Sequence, residues 1–202
     1  MNKSLIAQIP KGVTLVAVTK TVSVDVINEA LREGISDIGE NRVQIALDKF
    51  KELILPCQKH LIGHLQTNKV KEAVMFFDYI HSVDSLRIAI KINEQCLKQN
   101  KRVKVFFELN LSGEKSKFGF TKEEFEKEYT ELLKLRYFEP IGLMTMAPFY
   151  DNPEETRPLF RELKKLAVRY NLPETSMGMS NDYKVAIDEG STFVRIGTAV
   201  FN

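Results

Sequence analysis

The sequence predicts an α/β protein built as a parallel (β/α)8 barrel, a TIM barrel, and three observations carry that prediction. Eight short apolar runs alternate with longer stretches of helical period from one end of the chain to the other. No Pro/Gly-rich linker or low-complexity tract divides them, so residues 1–202 read as a single domain. At 202 residues the barrel lies near the small end of its usual range, and its loops must be short. A doubly wound open sheet is the alternative arrangement for the same alternation.

The first run, "LVAVTK" at 15–20, is uncharged until it stops on Lys20. The other strand candidates are "SDIGEN" (36–41), "KHLIGH" (59–64), "YIHSVD" (79–84), "VKVFFELNL" (103–111), "FEPIGLMTM" (138–146), "ETSMGM" (174–179) and "TFVRIGTAVF" (192–201). The intervening segments carry helix signals. Thr121 and Glu124 open "TKEEFEKEYTELLKL" as a capping box, and Asn152 with Pro153 opens "NPEETRPLFRELKKLAVRY" as N-cap and first helical residue. "INEALREG" and "VAIDEG" close on Gly34 and Gly190, positions where a helix ends in left-handed backbone.

Composition narrows the function. With 29 Lys+Arg against 27 Asp+Glu the net charge is +2, so no global field draws the chain onto nucleic acid or an anionic membrane. Cys57 and Cys96 show no metal-binding spacing and read as reduced cytosolic thiols, so no metal site is expected. "MNKSLIAQIPKG" lacks the features of a secretory leader, and no later segment approaches the length that spans a bilayer. A cytoplasmic protein without nucleic-acid or membrane partners is expected.

In this fold functional groups gather at the C-terminal ends of the strands. Lys20, Glu40, Asn41, His64, Asn110, Ser112 and Ser180 all fall at or just after such ends, and Arg195 is followed by Gly197 and Thr198 in the last run. Closure sets strand eight beside strand one, bringing "SMGMS" and "RIGT" within reach of Lys20. Gly197 lets an anion approach the backbone, and the hydroxyls of Ser180 and Thr198 can donate to it. Lys20 is therefore expected to face a small phosphorylated ligand.

At these residues the sequence resembles the pyridoxal-phosphate homeostasis proteins, which look like the barrel domain of alanine racemase without its second domain. The stretches that carry the resemblance are "LVAVTK", "IGENRVQ", "HLIGHLQTNK", "GLMTM" and "SMGMSNDYKVAIDEGSTFVRIGTAVF". They span nearly the whole chain. The resemblance implies that Lys20 holds pyridoxal 5'-phosphate (PLP) through a Schiff base and that Asn41 lies beside its ring. It also implies that Ser180, Gly197 and Thr198 contact the phosphate and that Arg195 partners the pyridine nitrogen. "KSLIAQI" would be a reduced form of the helix that braces the barrel's bottom.

The chemistry is coherent with that implication. A lysine desolvated at a barrel mouth has its pKa pushed down and becomes a competent nucleophile. Arg195 alternates with Val194 and Ile196, so it faces the other way, and a guanidinium turned inward requires an acceptor. A pyridine nitrogen can be that acceptor. A permanently protonated arginine keeps that nitrogen unprotonated and weakens the ring as an electron sink.

Three functional classes compete. The first holds PLP as a Lys20 aldimine and buffers or delivers it, with no catalytic residue, acting as a monomer and passing cofactor to PLP-dependent apo-enzymes. The second is an amino-acid racemase, which needs a second acid/base that nothing after Asn202 supplies. The third is a Schiff-base aldolase on a sugar phosphate, in which Arg195 meets no ring nitrogen.

Each residue also has an ordinary structural reading. Lys20 can be a solvated strand end, and Arg195 can pair with Glu40 or Glu108. Ser180 and Asn181 can be helix caps. His64 reads as a hydrogen-bonded histidine rather than a base, because no acidic partner is evident by spacing. Lys115 and Lys117 in "SGEKSKFGF" belong to a solvated loop or a cationic lid. Met144, Met146, Met177 and Met179 read as filler at the barrel rim.

Overall fold

The computed structural model describes residues 1–114 and 116–201. Its eight strands are β1 Thr14–Val18, β2 Asp37–Glu40, β3 Gln58–Leu61, β4 Tyr79–Val83, β5 Lys104–Glu108, β6 Glu139–Met144, β7 Glu174–Ser176 and β8 Phe193–Ile196. They pair in sequence order, every pair parallel, into a closed barrel. The open-sheet alternative is excluded. Closure runs through β1 and β8, where Val16 lies beside Arg195 and Ala17 beside Ile196.

The connecting helices are α1 Lys3–Ala7, α2 Val24–Arg32, α3 Val43–Phe50, α4 Val70–Phe76, α5 Leu86–Gln99, α6 Lys122–Leu132, α7 Arg157–Arg169, α8 Tyr183–Asp188 and α9 Thr198–Phe201. Their limits follow local chemistry. In α5, Ser85 accepts from the Ile88 N–H, Ile88, Ala89, Ile92 and Cys96 recur at helical spacing on the buried face, and Asn100 ends the helix in left-handed backbone. The capping box of Thr121 and Glu124 opens α6. Gly34 and Gly190 follow α2 and α8 with φ of 101° and 87°, where a side chain would be strained. Asn152 and Pro153 open a 3-10 turn, Pro153–Thr156, that leads into α7 rather than opening α7 itself.

Period-two alternation sorts each strand into two faces. Val16, Val18, Ile62, Phe106, Met144 and Phe193 form one cluster that fills the lumen. The opposite faces pack against the helices in two layers, one on the β1, β2 and β8 side and a larger one elsewhere. Leu5, Ile6 and Ile9 join the first of these, and Asn2 donates to the Val200 carbonyl at 2.9 Å. The reduced N-terminal helix thus packs with α9 and the outer face of β1 and β8, because those apolar residues complete that layer. None of the described helices is long and apolar enough to cross a membrane.

The lumen is a packed core, and Phe106 stands in its centre with no exposed surface. Phe106→Ala is expected to lower the unfolding free energy by about 3–5 kcal/mol in a urea titration. Val168→Ala, at a position 71% exposed, should change it by less than about 0.5 kcal/mol. Equal midpoints for the two variants would contradict a filled lumen.

Candidate functional site

The turn after β1 is fixed by a buried polar knot. Thr19 donates through its backbone N–H to the Gly39 carbonyl at 2.9 Å and through its hydroxyl to Glu40 Oε1 at 2.7 Å. Lys49, from α3, donates to the same Glu40 oxygen at 2.8 Å and to the Thr19 carbonyl at 2.6 Å. Glu40 is 1% exposed, and Lys49 is its ion-pair partner. β1 therefore stops at Val18, and Lys20 lies two residues past it, in the turn and exposed to solvent. The expected desolvation of Lys20 is not provided by the protein's own packing, because this knot turns the chain out into the mouth.

Arg195 is the opposite case. It is 3% exposed, pointing inward from β8 while Val194 and Ile196 face the helices. Its Nη1 donates to Ser176 Oγ, and its Nη2 donates to the Thr145 carbonyl at 3.0 Å. Burial pulls its pKa down to about 10, against the attraction of Glu108 and Asp182, so it is charged at neutral pH. Glu40 is committed to Lys49, and no described ion pair joins Arg195 to Glu108, so the structural-pair reading of Arg195 is not realised. Two of the five guanidinium N–H groups are used by these protein acceptors.

Lys20, Asn41, Ser180, Arg195, Gly197 and Thr198 line one cavity of about 210 Å³ at the C-terminal mouth, with Val18, Ile62, Met146 and Met179 completing its wall. Among the described residues, no carboxylate lines it. The apolar walls suit a flat ring, and the amine, guanidinium and hydroxyls suit an electron-rich, anionic ligand. A Cβ at Gly197 would meet nothing closer than Val18 at 3.8 Å, so the fold itself does not require glycine there. The bare backbone is left facing the cavity. Gly63 is required, since a Cβ there would come within 2.4 Å of the Asn41 carbonyl oxygen. That close approach sets Asn41 at the edge of the mouth.

Ser180 is not a helix cap. Asp182 takes the N-cap position of α8 and accepts from the Met179 N–H, while Asn181 donates to the Tyr150 carbonyl at 2.9 Å. Ser180 is exposed on the cavity wall. Of the methionines, Met144 and Met177 are buried filler, whereas Met146 and Met179 belong to the cavity.

Sequence reading missed several partners. His64 Nδ1 lies 2.7 Å from Asp84 Oδ2, an acidic partner that spacing could not reveal. Phe118 stacks on His64 at 3.7 Å between centroids. The loop carrying Phe118 is organised by Asn110, which donates to the Glu114 and Lys117 carbonyls and accepts from Gly113 and Ser112. Lys117 reaches Glu114 and the Met146 carbonyl, and Lys115 lies outside the described residues. His60, His81 and Ser176, also unremarked in the sequence, are buried in the lumen. Among the described residues, no group of three or more His, Cys, Asp or Glu could hold a metal ion.

Residues 2–202 match the family model of the alanine racemase N-terminal domain. The chain belongs to that family. It is 42% identical over 194 residues to the pyridoxal phosphate homeostasis protein of Aquifex aeolicus, covering 93% of this chain and 85% of the relative. It is 40% identical over 205 residues to the protein of the same name from Synechocystis, covering 98% and 94%. Among solved structures, PipY of Synechococcus elongatus with PLP bound superposes with a TM-score of 0.94 at 35% identity, covering 99% of this chain and 97% of PipY. An alanine racemase from Clostridium difficile shares the fold, with a TM-score of 0.80 at 16% identity over 98% of this chain and 54% of the racemase.

One family-barrel carboxyl beneath the mouth titrates near neutrality. Glu108 is 3% exposed, and burial, reinforced by Asp84 and opposed by Arg195, raises its pKa to about 7. The folded chain holds this proton more tightly than the unfolded chain. Its contribution therefore falls as pH rises from the unfolded value of 4.5 toward 7 and is fully unfavourable above that. Relative to Glu108→Gln, the wild type is expected to lose on the order of 3 kcal/mol of stability between about pH 4.5 and 7.5. Parallel stability curves for the two proteins in urea titrations across that range would refute this assignment.

Proposed function

We propose that this chain binds PLP in the mouth cavity and serves PLP homeostasis, buffering and delivering the cofactor rather than turning over a substrate. The observation that carries the reading is the convergence of Lys20, Asn41, Ser180, Arg195, Gly197 and Thr198 on one small cavity, with no carboxylate among its described lining residues. The names of the relatives and the PLP bound to PipY support it. When bound, PLP supplies an aldehyde that condenses reversibly with primary amines.

Lys20 is the amine presented to that aldehyde, from a turn whose carbonyl Lys49 holds. Ser180, Thr198 and the backbone at Gly197 receive the phosphate, where a neutral hydroxyl donor and bare N–H groups suit an anion. Asn41, set by its close approach to Gly63, borders the ring. Arg195, with N–H groups left over from Ser176 and Thr145, would hold the ring nitrogen. Because it is charged at neutral pH, it would keep that nitrogen unprotonated and withhold the electron sink that removal of an α-proton requires. Exposure of Lys20 in the mouth would leave an aldehyde held there open to incoming amines. The same exposure suits transfer to PLP-dependent apo-enzymes, with the chain acting as a cytoplasmic monomer.

Borohydride treatment of the PLP-loaded protein is expected to fix the cofactor on the peptide containing Lys20, and Lys20→Ala should abolish that label while keeping the wild-type circular dichroism. A label retained elsewhere would displace Lys20 from its role. Ser180→Ala combined with Thr198→Ala should weaken PLP retention by several kcal/mol at most, at about 1–3 kcal/mol for each charge-assisted hydrogen bond. Unchanged retention would move the phosphate site. Incubation of loaded protein with L-amino acids should give no D-isomer or keto acid at enzymatic rates, and sustained turnover near 1 per second or faster would make the chain a racemase or transaminase instead.

A further inference from the structure

Arg195 is the first member of a hydrogen-bonded chain that descends through the barrel lumen. Its Nη1 donates to Ser176 Oγ, which lies 2.8 Å from His81 Nδ1. His81 Nε2 is 2.9 Å from His60 Nδ1, and His60 Nε2 is 2.9 Å from Asp37 Oδ1. Ser176, His81 and His60 have no exposed surface. They come from β7, β4 and β3, and Asp37 is the first residue of β2, at the end of the strands remote from the mouth. Ser36 donates to the second Asp37 oxygen at 2.6 Å.

The two ends of this chain set its direction. A guanidinium can only donate, and an ionised carboxylate can only accept. With both imidazoles neutral, one pattern satisfies every contact: Ser176 donates to His81 Nδ1, His81 Nε2–H donates to His60 Nδ1, and His60 Nε2–H donates to Asp37. The reverse order would leave His60 Nε2 facing the carboxylate without a proton unless the ring were a cation. Burial pushes both histidines below their ordinary range, His81 the further. Burial opposes ionisation of Asp37, but the hydrogen bonds from His60 and Ser36 outweigh it and hold the carboxyl low.

We propose that Ser176, His81, His60 and Asp37 are positioning residues for Arg195, forming a one-way donor chain that fixes the Ser176 hydroxyl as an acceptor and holds the charged guanidinium in the cavity wall. The chain is a property of the protein alone. Its consequence for the cofactor, a fixed donor at the ring nitrogen, rests on the PLP reading above.

Two measurements separate the chain from that reading. The sequence has 3 histidines, so the imidazole 15N spectrum of the cofactor-free protein is simple to assign. His60 and His81 are each expected to be neutral, protonated on Nε2 and bare on Nδ1. A doubly protonated ring, or a proton on Nδ1 of either residue, overturns the chain. In the second measurement, PLP is added to wild type, Ser176→Ala and Ser176→Thr. Ser176→Ala should shift the visible absorption of bound PLP and weaken its binding on the order of tenfold, the equivalent of one charge-assisted hydrogen bond. Ser176→Thr, which returns the hydroxyl, should move both back toward wild type. An unaltered spectrum and affinity in Ser176→Ala overturns the positioning role while leaving the PLP reading intact. A wild type that binds no PLP refutes that reading, and the imidazole spectrum still decides the chain.

Discussion

A charged guanidinium buried in a barrel lumen is the constraint around which this structure is organised. Moving such a group out of water is costly unless it is hydrogen-bonded, and it cannot escape the cost by losing its proton at neutral pH. The fold answers by placing a hydroxyl and a carbonyl against Arg195, from β7 and the end of β6. Those two acceptors leave donors over. Because Arg195 lies opposite Val16 where β8 closes against β1, the surplus donors fall at the mouth on the same side as Lys20. Closure of the barrel and construction of the cavity are one event.

The second organising feature is the contrast between a rigid lumen and an accessible mouth. Phe106, Phe193, His60 and His81 pack ring against ring beneath the site, with centroids 4.4 Å apart for His81 and Phe106 and 5.1 Å for Phe106 and Phe193. Arg195 stands on that floor. Lys20, Asn41, Ser180 and Thr198 are all exposed above it. A packed side chain keeps its orientation, and an exposed one stays accessible to solvent and solutes. The Thr19, Glu40 and Lys49 knot serves both ends. It fixes the backbone from which Lys20 departs while leaving the side chain free.

Local patterns were legible in the sequence, and long-range pairings were not. The eight runs, the Thr121 capping box and the glycines at 34 and 190 each depend on residues a few positions apart, and each occurs where the pattern predicted. Alternation also put Arg195 on the face opposite Val194 and Ile196, and the closed barrel makes that face the inner one. Asp84 could not be matched to His64, nor Ser176 to His81, because 20 and 95 residues separate them and only the closed barrel brings them together. The Glu40 partner was misjudged for the same reason. Alternation sorts faces within one strand only, and it is the register of β2 and β8 against β1 that sets Glu40 toward α3 and Arg195 toward the lumen. The exposure of Lys20 depended on where β1 stops, and that is decided by Lys49, 30 residues away from the carbonyl it binds.

The proposed role, holding rather than turnover, rests on the same geometry. An acid against a ring nitrogen would deliver a proton and let the ring draw electrons from an attached carbon, whereas a guanidinium offers a hydrogen bond it does not surrender. Arg195 is kept in that state from two directions. Ser176 and the Thr145 carbonyl accept its hydrogen bonds, and the histidines below, held neutral by burial, bring no competing positive charge that would drive its proton off. Glu108 is the nearby carboxyl that could have changed this balance, yet no described ion pair joins it to Arg195, and burial raises its own pKa to about 7. It therefore stands partly neutral at physiological pH and does not line the cavity. Lys20 supplies the mouth with an amine that is open to solvent. What Arg195 presents to the mouth is a fixed, charged donor rather than a carboxylic acid.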